Sequence, residues 1–182
     1  MVNFTNYENN LIQNLFTHLQ FMGYQNLHDR FGFGNKRLKR FYECLEKEFE
    51  KYSEGKLELD SLLMYCKKND NNIYDWIRTL PQSQKIKVSE FKAKKGTSIN
   101  FMKGIDAGFL IYGTLSVVVL LKEFNFSKPQ AKKFLDEMAY YLDSYAKGYL
   151  NDELVNELMV EECKIDVINE IDYSNKKAQI RH

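Results

Sequence analysis

Few side chains in this sequence could carry acid–base, nucleophilic or metal chemistry. Three histidines (His18, His28, His182) and three cysteines (Cys44, Cys66, Cys163) stand far apart along the chain. A zinc site needs three or four convergent ligands, and no HExxH, CxxC or i, i+4 histidine pair provides a nucleus for one. A Cys–His nucleophile pair needs only closeness in space, so the cysteines are read from their place in the pattern. Cys44 falls mid-helix, Cys66 on an apolar stripe and Cys163 near a helix end, as expected of small, reduced, buried thiols. Gly32-Phe33-Gly34 is half of a dinucleotide fingerprint, but Arg37 occupies the third glycine position and no strand precedes it. No P-loop occurs. The segments Tyr52–Leu57 and Tyr145–Leu150 sit between helices as calcium loops do, yet lack alternating Asp/Asn ligands and a terminal Glu. Glu46 and Glu50 read as solvent-facing. The sequence offers no catalytic residue, no metal site and no cofactor site, so an enzyme is not expected.

Charge is the more informative feature, because a net of +1 hides a strong asymmetry. Lys36, Arg37, Lys39 and Arg40 gather at the start of one helix, and Lys128, Lys132 and Lys133 at the start of another. Cations at a helix N-terminus oppose the macrodipole, and a phosphate met there would relieve them. Lys85, Lys87, Lys92, Lys94 and Lys95 form a second basic stretch, suited to a phosphate backbone through counterion release. Residues 151–172 hold eight acids against Lys164 alone. Within them Glu153, Glu157, Glu161 and Glu162 would present a carboxylate surface to a basic partner, where complementary potential sets rate and specificity.

The elements that must position these groups show a period of 93 residues. Adding 93 to Leu27, Phe31, Phe33, Lys39, Phe41, Tyr52, Gly55 and Leu57 gives Leu120, Phe124, Phe126, Lys132, Phe134, Tyr145, Gly148 and Leu150, the same type each time. Such self-similarity marks a repeat architecture. Each copy reads as three helices. The first opens at a capping box, Thr5-Asn6-Tyr7-Glu8, carries Leu11, Leu15, Leu19 and Met22 on one stripe, and stops at the glycines near 32–34. The second helices carry Leu38, Phe41, Leu45, Phe49, Tyr52 and Ala131, Phe134, Met138, Leu142, Tyr145 at identical spacings. Short third helices follow, through Leu59–Cys66 and Leu154–Met159. The segment Phe109–Leu121 is apolar on every face and therefore buried on every side, covered either by the other copy or by a second subunit in a homodimer.

The expected fold is mainly α: two tandem three-helix repeats, with a small β-hairpin in the connecting segment. Residues 1–68 form the first repeat, 69–98 the connection, 99–172 the second repeat and 173–182 a tail. The hairpin is expected from alternation in Lys85–Ser89 and Thr97–Phe101 about the lysine-rich Lys92–Gly96.

Composition removes several classes. With 44% hydrophobic and 14% aromatic residues the chain is not of the disordered type. The start lacks a basic region followed by an apolar one, so no secretory signal is expected. The longest near-apolar run, Gly108–Leu121, is short for a bilayer span. A cytoplasmic protein without a membrane partner follows.

The string Leu27-His-Asp-Arg-Phe-Gly-Phe-Gly-Asn-Lys-Arg-Leu-Lys-Arg-Phe41, with Tyr52–Leu57 after it, resembles small proteins of phages and mobile elements of low-GC Gram-positive bacteria. Some proteins of that kind are type II-A anti-CRISPRs, inhibitors of Cas9. The resemblance recurs more weakly from Leu120 to Leu150, where Asn125 and Ser127 replace the glycines, so the motif reads as a structural corner and brings no catalytic residue with it. It implies a non-catalytic protein that blocks a nucleic-acid enzyme, with Cas9 bound to guide RNA as the partner. The alternative is an accessory protein that binds DNA or RNA directly through the basic residues.

Overall fold

The computed structural model describes residues 6–89 and 99–169 of the chain, with side chains at 12 and from 14 onward in the first helix and from 102 onward in the sixth. Among the described residues the fold is all helical. It comprises α1 (Asn6–Phe31), α2 (Asn35–Ser53), α3 (Leu59–Lys68), α4 (Ile73–Thr79), α5 (Gln82–Val88), α6 (Ile99–Glu123), α7 (Lys128–Lys147) and α8 (Asp152–Leu158), which runs into a π-helical turn, Met159–Cys163.

Helices α1 and α6 cross at the centre, because they are the two whose apolar residues are not confined to one stripe. Leu15, Leu19, Met22 and Leu27 on α1, and Ile105, Tyr112, Leu115, Val117 and Leu120 on α6, have no exposed surface. Each fully buried side chain of this kind contributes about 1.5–3 kcal/mol. The crossing is close: a Cβ on Gly108 would stand 2.8 Å from Leu15 Cδ2, and one on Gly23 would stand 2.0 Å from Tyr112 Oη. Helix α2 packs on α6 and α7 on α1, while α3 and α4 cover α6, α8 covers α1 and α5 rests on α7. The buried side chains form one cluster to which all eight helices contribute.

Helices α2 and α3 begin at residues 35 and 59, and α7 and α8 at 128 and 152. The two corners that end α1 and α6 share their backbone form. Phe33 N donates to Leu27 O and Phe126 N to Leu120 O, each at 3.0 Å, and Gly32 and Asn125 both take positive φ, 62° and 53°. The corners pack on each other crosswise. Phe31 meets Phe126 at 5.1 Å between ring centroids and Phe33 meets Phe124 at 5.2 Å. Phe41 lies 6.1 Å from Phe124, and Phe134 lies 6.5 Å from Phe31.

Three expectations are corrected. Among the described residues the β-hairpin is not seen. Lys85–Val88 belongs to α5, where Pro81 at φ −60° precedes the first turn and its missing N–H leaves no helical bond unmade. Ile99–Phe101 begins α6, and residues 90–98, including Lys92, Lys94 and Lys95, lie outside the described residues. Glu46 is not solvent-facing, for it is half-buried and accepts from Gln20 Nε2 at 2.8 Å. The apolar run at Gly108–Leu121 is part of a longer helix. Met102–Glu123 is long and apolar enough to cross a bilayer, and 78% of its most apolar window is buried by the surrounding helices. Thr5 of the expected capping box lies outside the described residues.

Candidate functional site

The acidic end of the chain is built on α8. Asn151 caps it, its side-chain oxygen accepting from Leu154 N at 2.8 Å, and Asp152 and Glu153 occupy the first turn, where carboxylates favour the helix dipole. Val155, Met159, Cys163, Ile165 and Val167 point inward and are buried. The outward face mixes acids with apolar groups. Glu153, Glu157 and Glu161 are exposed and make no ion pair among the described residues, while Leu154 (38%), Val160 (42%) and Ile168 (39%) remain exposed beside them. Isolated exposed leucines are ordinary; an apolar set interleaved with unpaired carboxylates has the composition of a docking surface.

Glu162, expected on that surface, has an internal role. His28 Nε2 lies 2.6 Å from Glu162 Oε2, and ten residues earlier on both segments His18 Nδ1 lies 2.6 Å from Asp152 Oδ2. The two pairs clasp α8 and the π turn to α1. His28 Nδ1 also lies 3.0 Å from Phe33 O and 3.2 Å from Cys163 Sγ. Burial of the His28 ring opposes its charge, but the Phe33 carbonyl, Glu162 and the nearby Asp29 outweigh that and raise its pKa above the ordinary value. The result is a thiol, an imidazole and a carboxylate in line. A nucleophilic array needs the imidazole to take the thiol proton. Here Nδ1 faces the Phe33 carbonyl, which can only accept, so that nitrogen carries a hydrogen and has no lone pair for Cys163. Burial, with Glu162 and Asp29, pushes the Cys163 thiol up as well. The other thiols are held neutral in the same way, Cys66 by burial up to about 12.

The sequence separation that could have announced the clasps was present. His18 and His28 are ten apart, as are Asp152 and Glu162. Nothing in one sequence, however, indicates that α1 and α8 lie side by side.

Of the basic residues, several are occupied within the fold. Lys85 is buried and its Nζ lies 2.6 Å from Asp106 Oδ1, so it faces the interior rather than a nucleic acid. Lys87 is exposed. Lys128 pairs with Asp70 at 3.1 Å, Lys132 with Asp136 at 2.6 Å and Arg40 with Glu123 at 3.4 Å. Lys133 sits over the Phe31 ring, 5.7 Å from its centroid, and Lys39 is half-buried. Lys36 and Arg37 are exposed and make no ion pair among the described residues. The structure brings Lys36, Arg37 and Arg40 together with Glu123, Phe124 and Asn125 around a cleft of about 410 Å³. It does not bring Lys128 or Lys132 to that cleft. A second cleft, of about 350 Å³, opens between α3 and α4 beside the exposed Met64 and Tyr74. Among the described residues no three His, Cys, Asp or Glu side chains converge as metal ligands. Compared with known proteins, the chain matches no family model, no curated protein and no solved structure.

Proposed function

We propose that the chain is a non-catalytic binding protein, built from two copies of one three-helix unit, that inhibits a nucleic-acid enzyme by seating the outer face of α8 and the π turn in a basic groove. The observation that carries this reading is the outer face itself. Its three carboxylates are unpaired among the described residues, with Leu154 and Val160 among them, whereas Lys85 is buried against Asp106 and Arg40, Lys128 and Lys132 each have a carboxylate partner at the surface. Unpaired carboxylates retain their long-range field and would steer the protein towards positive potential. The duplication is supported by the starts of two helix pairs 93 residues apart and by the crosswise packing of Phe31 with Phe126 and Phe33 with Phe124.

The partner class comes from the resemblance of the Leu27–Phe41 string to phage and mobile-element proteins that include Cas9 inhibitors. Cas9 loaded with guide RNA offers a positively charged channel that a carboxylate face can occupy, and the encounter takes place in the host cytoplasm. Inhibition of this kind requires occupancy and no chemistry. The test titrates the purified protein into a Cas9–guide RNA cleavage reaction, with nuclease-treated capture in parallel. Stoichiometric loss of cleavage, abolished by Glu157→Lys with Glu161→Lys and retained by Lys132→Gln, supports the reading. Capture that vanishes with nuclease, or inhibition indifferent to the two glutamates, overturns it.

A further inference from the structure

We infer that the cleft between the start of α2 and the corner joining α6 to α7 binds the phosphate groups of a nucleic-acid strand. The inference goes beyond the acidic face and uses a different surface. Its basis is a stack of four side chains. Arg37 Cζ lies 3.7 Å from the centroid of the Phe33 ring, Phe33 lies 5.2 Å from Phe124 at an interplanar angle of 34°, and Arg40 Cζ lies 5.2 Å from the Phe124 centroid. Phe33 is fully buried, so the ring under Arg37 is fixed. Arg40 is held further by Nη2 donating to Glu123 O at 3.1 Å.

Stacking occupies the face of a guanidinium and leaves its in-plane N–H donors at the edge, and those donors match phosphate oxygens in pairs. The Arg37 side chain makes no hydrogen bond or ion pair among the described residues, so its whole fork is open to a ligand. An arginine already seated on a ring has surrendered much of the rotamer freedom that binding would otherwise cost. Lys36 adds a third charge to the same cleft, and the carboxylate of Glu123 is taken up by Arg40. Lys133, on Phe31, extends the cations along the same group of rings. A row of charges on one aromatic cluster fits successive phosphates of a strand better than a single free anion. The fold itself does not require these cations. Ninety-three residues on, Pro129 and Gln130 stand where Lys36 and Arg37 stand, on a corner of the same backbone form.

The test uses the full chain and a fluorescently labelled single-stranded RNA, with DNA of the same sequence in parallel, followed by anisotropy between about 50 and about 200 mM salt. The double variant Lys36→Gln, Arg37→Met keeps an aliphatic cover on Phe33 while removing the charges. Two lost phosphate contacts lower the magnitude of the log–log salt slope by about 1.4 and weaken binding about tenfold at the lower salt. Lys132→Gln leaves both unchanged. Lys36→Gln alone, at an exposed position, lowers the slope by about 0.7 and keeps the test decisive if the double variant folds poorly. A strand bound equally by wild type and a folded double variant, or not bound by wild type at low salt, overturns the site. Failure of the wild-type chain to inhibit the enzyme, with strand binding intact, would instead sink the acidic-face reading and leave this one standing.

Discussion

The two corners, Phe31–Asn35 and Phe124–Lys128, turn the chain with the same backbone and then open their helices differently. At the second, Ser127 and Gln130 close the start of α7 by themselves. Gln130 N donates to Ser127 Oγ at 3.4 Å and Ser127 N to Gln130 Oε1 at 2.8 Å, with Pro129 in the first turn. At the first, Gly34 gives α2 no side-chain cap. There Asn35 reaches away from its own helix, donating from Nδ2 to Cys163 O at 2.8 Å and to Lys164 O at 3.2 Å. One corner is closed by its own sequence. The other is tied to the end of the acidic segment, which leaves Lys36 and Arg37 facing solvent. A shared backbone therefore does not dictate a shared role, since the side chains on it can be spent on the helix start or presented outward.

The largest effect that would test this comparison is at the rings. Phe33 is fully buried and Phe126 is 8% exposed, so alanine at either is expected to cost about 3–5 kcal/mol in urea unfolding, with Phe33→Ala the costlier. A loss confined to one of them would mean that the corners do not support each other. Next comes Ser127→Ala, expected to cost about 1 kcal/mol by removing the cap of α7. A cost near zero would show that the capping box adds nothing beyond Pro129.

These corners also show how far one sequence could be read. The stripes of α2 and α7, with apolar residues at spacings of 3, 4, 4 and 3, lie on helices that end where Gly55 and Gly148 follow. The stripes were legible because each helix has one wet side. The segment Lys85-Ile86-Lys87-Val88 was not legible, since alternation over four residues fits a strand or a single helical turn. What turns Lys85 inward is Asp106 on another helix. Glu46 was misread for the same reason, its partner Gln20 lying on α1. The clasps depend on the register of α8 against α1, which no local pattern encodes. That Glu153, Glu157 and Glu161 have no ion pair among the described residues likewise became visible only once the fold placed the lysines elsewhere. Charge could be counted in the sequence, but its cancellation required the geometry.

A smaller effect, dependent on pH, follows from the clasp beside the first corner. His28 titrates above the ordinary histidine value in the folded chain because the Phe33 carbonyl, Glu162 and Asp29 favour its charge over the opposing burial. A group whose pKa is raised on folding binds its proton more tightly in the native state. Its contribution is therefore complete below about pH 6.5 and is lost as pH rises through the folded value. The stability gap between wild type and His28→Gln should be widest near pH 6 and narrow towards pH 8 in paired urea titrations. A gap that widened with pH would mean that the neutral ring, and so its contact with Cys163, is what the fold uses.

The smallest expected effect bears most directly on why the corners differ. Gly34 has φ −89° and ψ −178°, an extended conformation open to any residue, and a Cβ there meets nothing within 4 Å. Serine at this position can accept from an amide of the first turn as Ser127 does on α7, and replacing a glycine cap in this way gains only a few tenths of a kcal/mol. If Gly34→Ser gives that gain and leaves the strand affinity of Lys36 and Arg37 unchanged, the open start of α2 is a local economy, and the cations act through their own forks and charges. If it weakens strand binding instead, the serine oxygen has taken amide donors that a phosphate would have used, and the helix start belongs to the cleft together with the stacked arginines. The two outcomes separate a corner that merely exposes cations from one whose backbone joins them.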